Sequence, residues 1–316
     1  MQVAHCTTPT RASNPVLIIA GAEKCGTTSV YTYLAAHPGT CPSTHKETDY
    51  FRRPDADLAG YLACFPRLHD DRCLLVESSP AYMALAEEVA PRIARSVPEA
   101  RIVFLLRDPI ARLRSSFRFY KSRLHVPQAM SFDAFARLCL AHEGGHAPQD
   151  HGLKPWHIEA LARGRYERQL PPFEACFPDS QRLILTQDEL NAAPRPTMQA
   201  ICRFAGLDPA FFEGFAFTRE NVSFLARHPS VQRAAIAVND RFEPVWRRFP
   251  SVKRRLLQAY KGFNERSLEP DALDPQTETA LRTLYAPTYA MLADLGVRRR
   301  NHAFTEGSDP AAASPA

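Results

Sequence analysis

The stretch VLIIAGAEKCGTTSVYTYL, residues 16–34, predicts a strand, a glycine-rich turn and a helix in direct succession. Its first five residues are a continuous apolar run, which is typical of a strand covered on both faces of a parallel sheet. Gly21 and Gly26 permit a tight turn, and SVYTYL has a helical pattern. We therefore expect the amides of residues 25–29 to point at an anion bound on the helix N-terminus.

Strand patterns and helix patterns alternate along the rest of the chain, which predicts an α/β fold. Further short apolar runs are CLLVE (73–77), RIVFLL (101–106) and RLILT (182–186). Helical patterns between and after them cover 27–36, 83–96 with a break near Pro91, 109–124, 131–141, 196–205 and 275–295. Strands that alternate with helices indicate a doubly wound, mainly parallel sheet, here with a mostly helical C-terminal part.

Length and composition favour one large domain. The chain has 316 residues, of which 45% are hydrophobic, and this is enough for a sizeable core. We predict a disordered N-terminus over 1–14, a single domain over 15–296, and a tail over 297–316. The tail begins with the basic run VRRR and is small, polar and aperiodic from about residue 302, which predicts disorder.

Charge and patterning exclude some classes of protein. The net charge of +5 and pI near 8.8 suit a small anionic ligand but not a nucleic-acid partner, which needs clustered basic residues. No apolar run is long enough for a membrane span, and the N-terminus lacks a signal-peptide pattern, so we expect a cytoplasmic protein. Eight scattered cysteines without zinc-ligand spacing predict reduced thiols and no metal site, with disulfides as the alternative.

The position of Lys24 argues against a nucleoside triphosphate. A triphosphate loop ends in Gly-Lys-Ser/Thr, whereas here Gly26 is followed directly by Thr27. No apolar strand ends in an obvious magnesium-binding aspartate, since Asp188 lies two residues beyond Thr186. The loop is therefore interpreted as a cradle for one 5′-phosphate, with Lys24 close to the group attached to it.

GAEKCGTTSVYTYL resembles the 5′-phosphosulfate loop of sulfotransferases that use 3′-phosphoadenosine 5′-phosphosulfate (PAPS), most of all the branch related to heparan sulfate sulfotransferases. The resemblance implies that Lys24 is catalytic. The loop lysine of that family contacts the oxygen that bridges phosphate and sulfate, where it would neutralise charge on the leaving phosphate. The resemblance also implies that the donor is bound by Lys24 and by Cys25, Gly26, Thr27, Thr28 and Ser29.

A second motif, RIVFLLRDPIARLRSSFRFY, predicts a strand, a turn and a helix. Arg107 stands at the C-terminal end of the strand, where ligands bind in such sheets, and Ser115 follows eight residues later on the helix. The pair resembles the 3′-phosphate site of PAPS sulfotransferases, and the planar guanidinium of arginine suits phosphate oxygens. The alternative is a helix cap at Asp108 beside an arginine in a surface ion pair.

A third motif, THKETDYF, contains Lys46 and Glu47. It resembles the KE..FF segment of the family, in which the glutamate takes a proton from the acceptor hydroxyl or amine. Glu47 is therefore the expected catalytic base. The alternatives are a solvated Lys-Glu pair, or His45 as the base, because the cytosolic small-molecule branch uses a histidine.

Weaker resemblances occur later in the chain. VESSPAYM (76–83) resembles an acceptor-side segment, but Ser78 stands where the family usually has lysine or threonine, which weakens the case for a highly sulfated glycan. GRYERQL (164–170) resembles a G-x-Y segment, to which we assign no chemistry. NVSFLARHPS (221–230) lies where the family often returns a basic loop over the nucleotide, so Arg227 is a candidate cofactor contact.

The resemblance of these motifs to the family implies a sulfotransferase that moves a sulfuryl group from PAPS, without a metal, to a hydroxyl or amine. The acceptor is expected to be a carbohydrate, a lipid or a small metabolite. Two alternatives remain: a P-loop kinase of small molecules, and a nucleotide-binding protein without catalysis. The sequence predicts neither the acceptor nor the oligomeric state.

Overall fold

A computed structural model describes the chain over 14–66, 73–146, 152–218, 225–242 and 272–306, together with residues 256, 260 and 264–266. The centre is a five-stranded sheet in which every neighbouring pair of strands is parallel. Its strands are β1 Val16–Gly21, β2 Thr40–Pro42, β3 Leu74–Ser78, β4 Arg101–Leu106 and β5 Arg182–Thr186. The spatial order is β2-β3-β1-β4-β5.

Helices follow the strands along the chain. The first half of the chain has α1 Thr27–Ala35, α2 Leu58–Leu62, α3 Ala81–Ala84, α4 Ala86–Ser96, α5 Pro109–Ser122 and α6 Phe132–Glu143. The second half has α7 Pro155–Ile158, α8 Tyr166–Gln169, α9 Pro171–Cys176, α10 Gln187–Ala192, α11 Pro194–Ala205, α12 Pro229–Arg241, α13 Pro275–Leu284 and α14 Ala286–Glu306. A two-stranded antiparallel sheet pairs β6 Leu225–Ala226 with β7 Glu265–Arg266.

The sheet confirms the predicted α/β class, and the four predicted strands all occur. β1 is buried along its whole length because it lies between β3 and β4 with helices over the sheet. The sequence did not indicate β2, a three-residue strand that includes Pro42 and is too short to show a pattern. Because all five strands are parallel, their C-terminal ends share one edge, and the candidate site lies there.

The predicted helix break near Pro91 is wrong. The break falls at Leu85, between α3 and α4, and α4 continues through Pro91. Proline removes one backbone hydrogen bond from a helix, to the carbonyl four residues earlier. Here Pro91 and Glu87 are both exposed, so water can hydrate the Glu87 carbonyl and the helix persists.

The C-terminal helical region is divided at Tyr285 into α13 and α14. α14 runs to Glu306, into the stretch predicted to be disordered, and residues 1–13 and 307–316 lie outside the described part of the chain. In the described ranges no helix combines the length and apolar character that a membrane crossing requires. Seven cysteines lie in those ranges and all are free thiols, as predicted.

Candidate functional site

The loop after β1 presents unpaired amides at the start of α1. Lys24 and Gly26 both have left-handed backbone conformations, with φ of 67° and 91°. Among the described residues, the amides of residues 23–28 donate no backbone hydrogen bond, and the first turn of α1 has no acidic side chain. Free N–H groups and the positive end of the helix dipole are what a bound phosphate needs.

Both loop glycines are required by their surroundings. A Cβ on Gly21 would lie 2.5 Å from the Cβ of Met83 in α3, so no larger residue fits there. At Gly26 the left-handed backbone disfavours any L side chain, and a Cβ would lie 3.1 Å from Leu190. The loop conformation therefore depends on contacts from two other helices.

Lys24 lies against helix α5. Its Nζ is 3.9 Å from the ring centroid of Phe119, a cation–π contact, and its side chain is half-buried. Burial lowers the pKa of Lys24 from 10.5 to about 8, while the charges of Glu23 and Glu47 act to raise it and that of Lys46 to lower it. The ammonium is therefore mostly protonated at pH 7 and lies within electrostatic reach of the Lys46–Glu47 pair.

An ion pair holds the other side of the loop. Arg163 Nη1 is 2.7 Å from Glu23 Oε2, and both side chains are largely buried. Glu23 immediately precedes Lys24, so this pair ties the loop to the short 3₁₀ helix Ala162–Gly164. This contact was not predicted from the sequence, because it joins positions 140 residues apart.

Arg107 and Ser115 lie on the elements predicted for them, a strand end and the following helix. Arg107 follows the last residue of β4, next to the β1 loop in the sheet order, and both side chains are half-buried. Asp108 caps α5 by accepting a hydrogen bond from the Ala111 amide at 2.6 Å. It also accepts one from the Tyr289 hydroxyl at 2.8 Å. Asp108 is thus a cap, as the alternative had it, but Arg107 forms no ion pair with any described residue.

Tyr166 joins the two segments predicted to bind phosphate. Its side chain is fully buried, and its hydroxyl lies 3.6 Å from the Cys25 Sγ of the loop and faces the Arg107 amide. Burial raises the pKa of the Cys25 thiol to about 11, so Cys25 is neutral and offers no thiolate chemistry at pH 7. Tyr166 belongs to the segment that resembles G-x-Y, for which no chemistry was predicted.

Glu47 lies at the exposed mouth of this edge. Its Oε1 is 2.6 Å from Lys46 Nζ, and 54% of its side chain is exposed. His45 is also exposed, and its carbonyl accepts a hydrogen bond from Ser43 at 2.6 Å. The Lys-Glu pair of the alternative interpretation is therefore present, but its charges reach the Lys24 ammonium, which a remote surface pair would not do.

Glu77 is a buried carboxylate within the VESSPAYM segment, and it was not among the candidate residues predicted from the sequence. It belongs to β3 and is fully buried. Oε2 accepts hydrogen bonds from the Thr48 hydroxyl and, at 2.9 Å, from the Ser79 hydroxyl. Burial raises the pKa of Glu77 to about 7 against the opposing effect of these hydroxyl donors. Its place near the end of a predicted strand, one residue before a polar pair, was the available signal.

Arg227 is exposed and follows β6. Its amide donates to the Asn264 carbonyl at 2.7 Å, and Gln232 of α12 donates to the Ser122 carbonyl at 2.8 Å. Tyr260 links Gln232 to Asn264 by two further hydrogen bonds. This network attaches the Arg227 turn to the end of α5, the helix that carries Ser115. Over the described residues no cluster of histidine, cysteine, aspartate or glutamate has a metal-binding arrangement.

Comparison with known proteins identifies relatives of this chain. Residues 14–232 match the family described as "Sulfotransferase domain". A bifunctional heparan sulfate N-deacetylase/N-sulfotransferase 4 from Mus musculus is 29% identical over 214 residues, which cover 65% of this chain and 24% of that protein. A heparan sulfate glucosamine 3-O-sulfotransferase 6 from Homo sapiens is 25% identical over 260 residues, which cover 82% of this chain and 72% of that protein. The chain thus spans about a quarter of the N-deacetylase/N-sulfotransferase.

A solved structure has the same fold. The sulfotransferase from Alicyclobacillus acidocaldarius matches with a TM-score of 0.53 and 23% identity, over 76% of this chain and 95% of that one. The family match covers more than half of the chain and contains the loop, both later motifs and Glu77. The chain therefore belongs to the sulfotransferase domain family.

Proposed function

We propose that this protein transfers a sulfuryl group from PAPS to a hydroxyl or amine of an acceptor. The observation that carries the proposal is the position of Lys24. It lies on the central strand's loop, with the Lys46–Glu47 pair within electrostatic reach and Arg107 on the adjacent strand end. A donor bound along this edge would place its sulfuryl group beside the ammonium, between its own phosphates and a carboxylate.

The proposed donor site uses two groups of residues. The amides of the loop, with hydroxyls of Thr27, Thr28 and Ser29, would bind the 5′-phosphate at the start of α1. Arg107 and Ser115 would bind the 3′-phosphate, and Arg227 would contact the nucleotide from the turn attached to α5. The half-buried Arg107, without an ion-pair partner in the described residues, fits a phosphate ligand.

The proposed reaction is an in-line transfer. Glu47 takes the proton of the acceptor as its oxygen or nitrogen attacks sulfur, and the bond between sulfur and the 5′-phosphate oxygen breaks. Lys24 neutralises the negative charge that develops on that oxygen. The products are the sulfated acceptor and adenosine 3′,5′-bisphosphate.

A carbohydrate is the acceptor class to test first. The two relatives are both named for heparan sulfate, one as an N-deacetylase/N-sulfotransferase and one as a glucosamine 3-O-sulfotransferase. Ser78, where the family usually has lysine or threonine, favours a less anionic sugar than a highly sulfated chain. The cytoplasmic location stays a prediction from the sequence.

Two measurements test the proposal. The first measures transfer of label from PAPS to unsulfated glycans, N-sulfated glycans, phenols and lipids. It compares wild type with Lys24→Met, Glu47→Gln and His45→Gln. We expect wild type to transfer the sulfuryl group. The rate should fall by about 10²-fold or more in Lys24→Met and in Glu47→Gln, whereas His45→Gln should keep its activity. Magnesium-dependent phosphate transfer from ATP, with no response to PAPS, would instead indicate a kinase.

Calorimetry with adenosine 3′,5′-bisphosphate tests the donor site directly. Arg107→Ala should weaken binding by at least tenfold, since a charge-assisted contact with phosphate is lost. Arg195→Ala, which removes an exposed arginine at the start of α11, is the matched control and should bind like wild type. Equal affinity of wild type and Arg107→Ala would contradict the assigned pocket.

A further inference from the structure

Glu77 combines complete burial with a position next to the proposed base. Its strand, β3, lies between β2 and β1 in the sheet. The segment that carries Glu47 follows β2 and passes over the C-terminal end of β3. A carboxylate without solvent exposure cannot touch an acceptor, so any role of Glu77 acts through the groups it binds.

Glu77 binds the chain on the C-terminal side of Glu47. The Thr48 hydroxyl donates to Glu77 Oε2, and the Tyr50 amide donates to the Thr48 Oγ1 at 3.3 Å. The Ser79 hydroxyl donates to the same Oε2, and its oxygen accepts from the Asp49 amide at 3.0 Å. One carboxylate oxygen therefore organises two hydroxyls, and each hydroxyl fixes one amide of the segment.

The N-terminal side of Glu47 is held by the same strand end. The Ser78 amide donates to the Lys46 carbonyl at 3.0 Å. Residues on both sides of Glu47 are thus attached to the end of β3, while the Glu47 side chain remains exposed to solvent. This arrangement fixes the backbone of the proposed base without contacting its carboxylate.

We propose that Glu77 is a positioning residue that orients Glu47 through Thr48 and Ser79. The inference rests on the proposed function, because it assumes that Glu47 is the base. Glu77 is needed as a hydrogen-bond acceptor: without it, the half-buried Thr48 hydroxyl and the buried Ser79 hydroxyl lose their shared partner. A small displacement of a catalytic group can cost up to about 10²-fold in rate.

The surroundings of Glu77 make its hydrogen bonds to Thr48 and Ser79 sensitive to pH. The titratable groups around it are Tyr61 of α2, Tyr82 of α3, Tyr31 of α1 and Cys64, and the pKa of each is raised. These groups are neutral at pH 7, and burial sets the pKa of Glu77 to about 7. Below that pH the carboxyl gains a proton and loses acceptor capacity toward the hydroxyls, so kcat should fall on the acid side.

Thr48→Val tests the inference with little risk to folding, since it keeps the shape of a half-buried side chain and removes the hydroxyl. We expect kcat to fall about tenfold or more, with the KM for PAPS and the affinity for adenosine 3′,5′-bisphosphate within about twofold of wild type. Thr48→Ser restores the hydroxyl and should recover most of the loss. Thr44→Val, the same change at an exposed position before His45, should have no effect.

Glu77→Gln and hydrogen exchange complete the test. The amide variant cannot titrate, so the acid limb of kcat near pH 7 should disappear, and the amides of Asp49 and Tyr50 should exchange faster in Thr48→Val. The inference would be overturned if Thr48→Val had the same kcat and the same amide exchange rates as wild type. It would also be overturned if the acid limb of kcat were unchanged in Glu77→Gln. If wild type transfers no sulfuryl group to any acceptor, the proposed function fails, whereas exchange still reports whether Glu77 holds the segment.

Discussion

The position of Lys24 suits the proposed ligand, which carries a single 5′-phosphate. It stands inside the loop, with a left-handed backbone, rather than after the second glycine. The Phe119 ring and partial burial replace water around the ammonium, and burial lowers its pKa to about 8. A desolvated cation interacts more strongly with charge that develops beside it, so the same burial that destabilises the free ammonium strengthens its proposed role.

The pH dependence of nucleotide binding should report Lys24. A bound phosphate favours the charged ammonium, so binding takes up a proton once pH exceeds about 8. Affinity for adenosine 3′,5′-bisphosphate should then fall by up to about tenfold per pH unit above 8. Calorimetry from pH 7 to 9.5 measures this, with Lys24→Met as the control that binds weakly at every pH. A parallel decline in Lys24→Met would show that another group is responsible.

Phe119 should influence the pKa of Lys24. Phe119→Leu removes the cation–π contact, worth about 0.5–2 kcal/mol, and keeps an apolar neighbour. The pKa of Lys24 should therefore fall below 8, by up to about one unit, because only the charged form is stabilised by the ring. Side-chain NMR of the lysine in the free protein measures this value. Phe119→Tyr keeps the ring and should behave like wild type, and a raised pKa in Phe119→Leu would contradict the expectation.

Glu77 should make the folded protein less stable as pH rises. Its folded pKa of about 7 exceeds the ordinary value of 4.5, so between these values the folded state holds a proton that the unfolded chain has released. The free energy of unfolding should lose on the order of 3 kcal/mol across that window. Urea unfolding at pH 4.5 and 7.5 should show that Glu77→Gln gains stability relative to wild type by this amount. Glu213→Gln, at an exposed position, should not.

Helix α5 is the element that connects the separate parts of the proposed donor site. It is capped by Asp108, carries Ser115 on its second turn, and contacts Lys24 through Phe119. Ser115 and Phe119 are four residues apart and therefore lie on one face of the helix. Its last carbonyl at Ser122 accepts a hydrogen bond from Gln232, which belongs to the network around the Arg227 turn. One helix thus carries Ser115, is attached to the Arg227 turn and contacts Lys24.

The β1–α1 element depends on its left-handed glycine. Gly26→Ala should cost about 1–2 kcal/mol, because an L side chain is strained at φ 91° and its Cβ would lie 3.1 Å from Leu190. Binding of adenosine 3′,5′-bisphosphate should weaken by tenfold or more, since the loop amides would be displaced. Thermal unfolding and calorimetry measure the two effects. Gly214→Ala, where a Cβ meets no atom within 4 Å, is the control and should change neither.

Two hydrophobic clusters form the core of the part of the chain that the structure describes. One surrounds the sheet and contains β1, β3 and β4, and the other packs α5 and α6 against α13 and includes Tyr285. Arg112 of α5 is fully buried where they meet, within electrostatic reach of Tyr166 and Tyr285. It donates to the Ala160 carbonyl and, at 3.4 Å, to Ser116. A buried arginine thus joins the helix that carries the proposed phosphate site to both clusters.

Removing this arginine should destabilise the molecule. Arg112→Met keeps much of the volume but leaves the buried Ala160 carbonyl without its donor, at a cost of about 1–3 kcal/mol. Chemical unfolding should show this loss, while Arg195→Met, an exposed position on α11, stays within about 0.5 kcal/mol of wild type. Equal stability of Arg112→Met and wild type would mean that repacking compensates for the lost contacts.

Local sequence was sufficient for the features that depend on neighbouring residues. The strands β1, β3, β4 and β5 could be predicted because buried parallel strands are continuous apolar runs, and the phosphate loop because its glycines and threonines are contiguous. Lys24, Glu47, Arg107 and Ser115 were selected as candidates in the same way, from short motifs and their resemblance to a family, and their roles stay predictions. A break at Pro91 was predicted wrongly, since local rules do not show which face of α4 meets solvent.

Tertiary structure alone decided which distant residues meet at the sheet edge. Glu77 binds Thr48 from 29 residues away, Phe119 faces Lys24, and Tyr166 reaches Cys25 from 141 residues away. No short motif contains both members of any of these pairs. They meet because strand order β2-β3-β1-β4-β5 differs from chain order, so parallel pairing brings the ends of separated segments together. The sequence thus determined the chemistry available to this protein, and the packing of the sheet determined which groups act on one another.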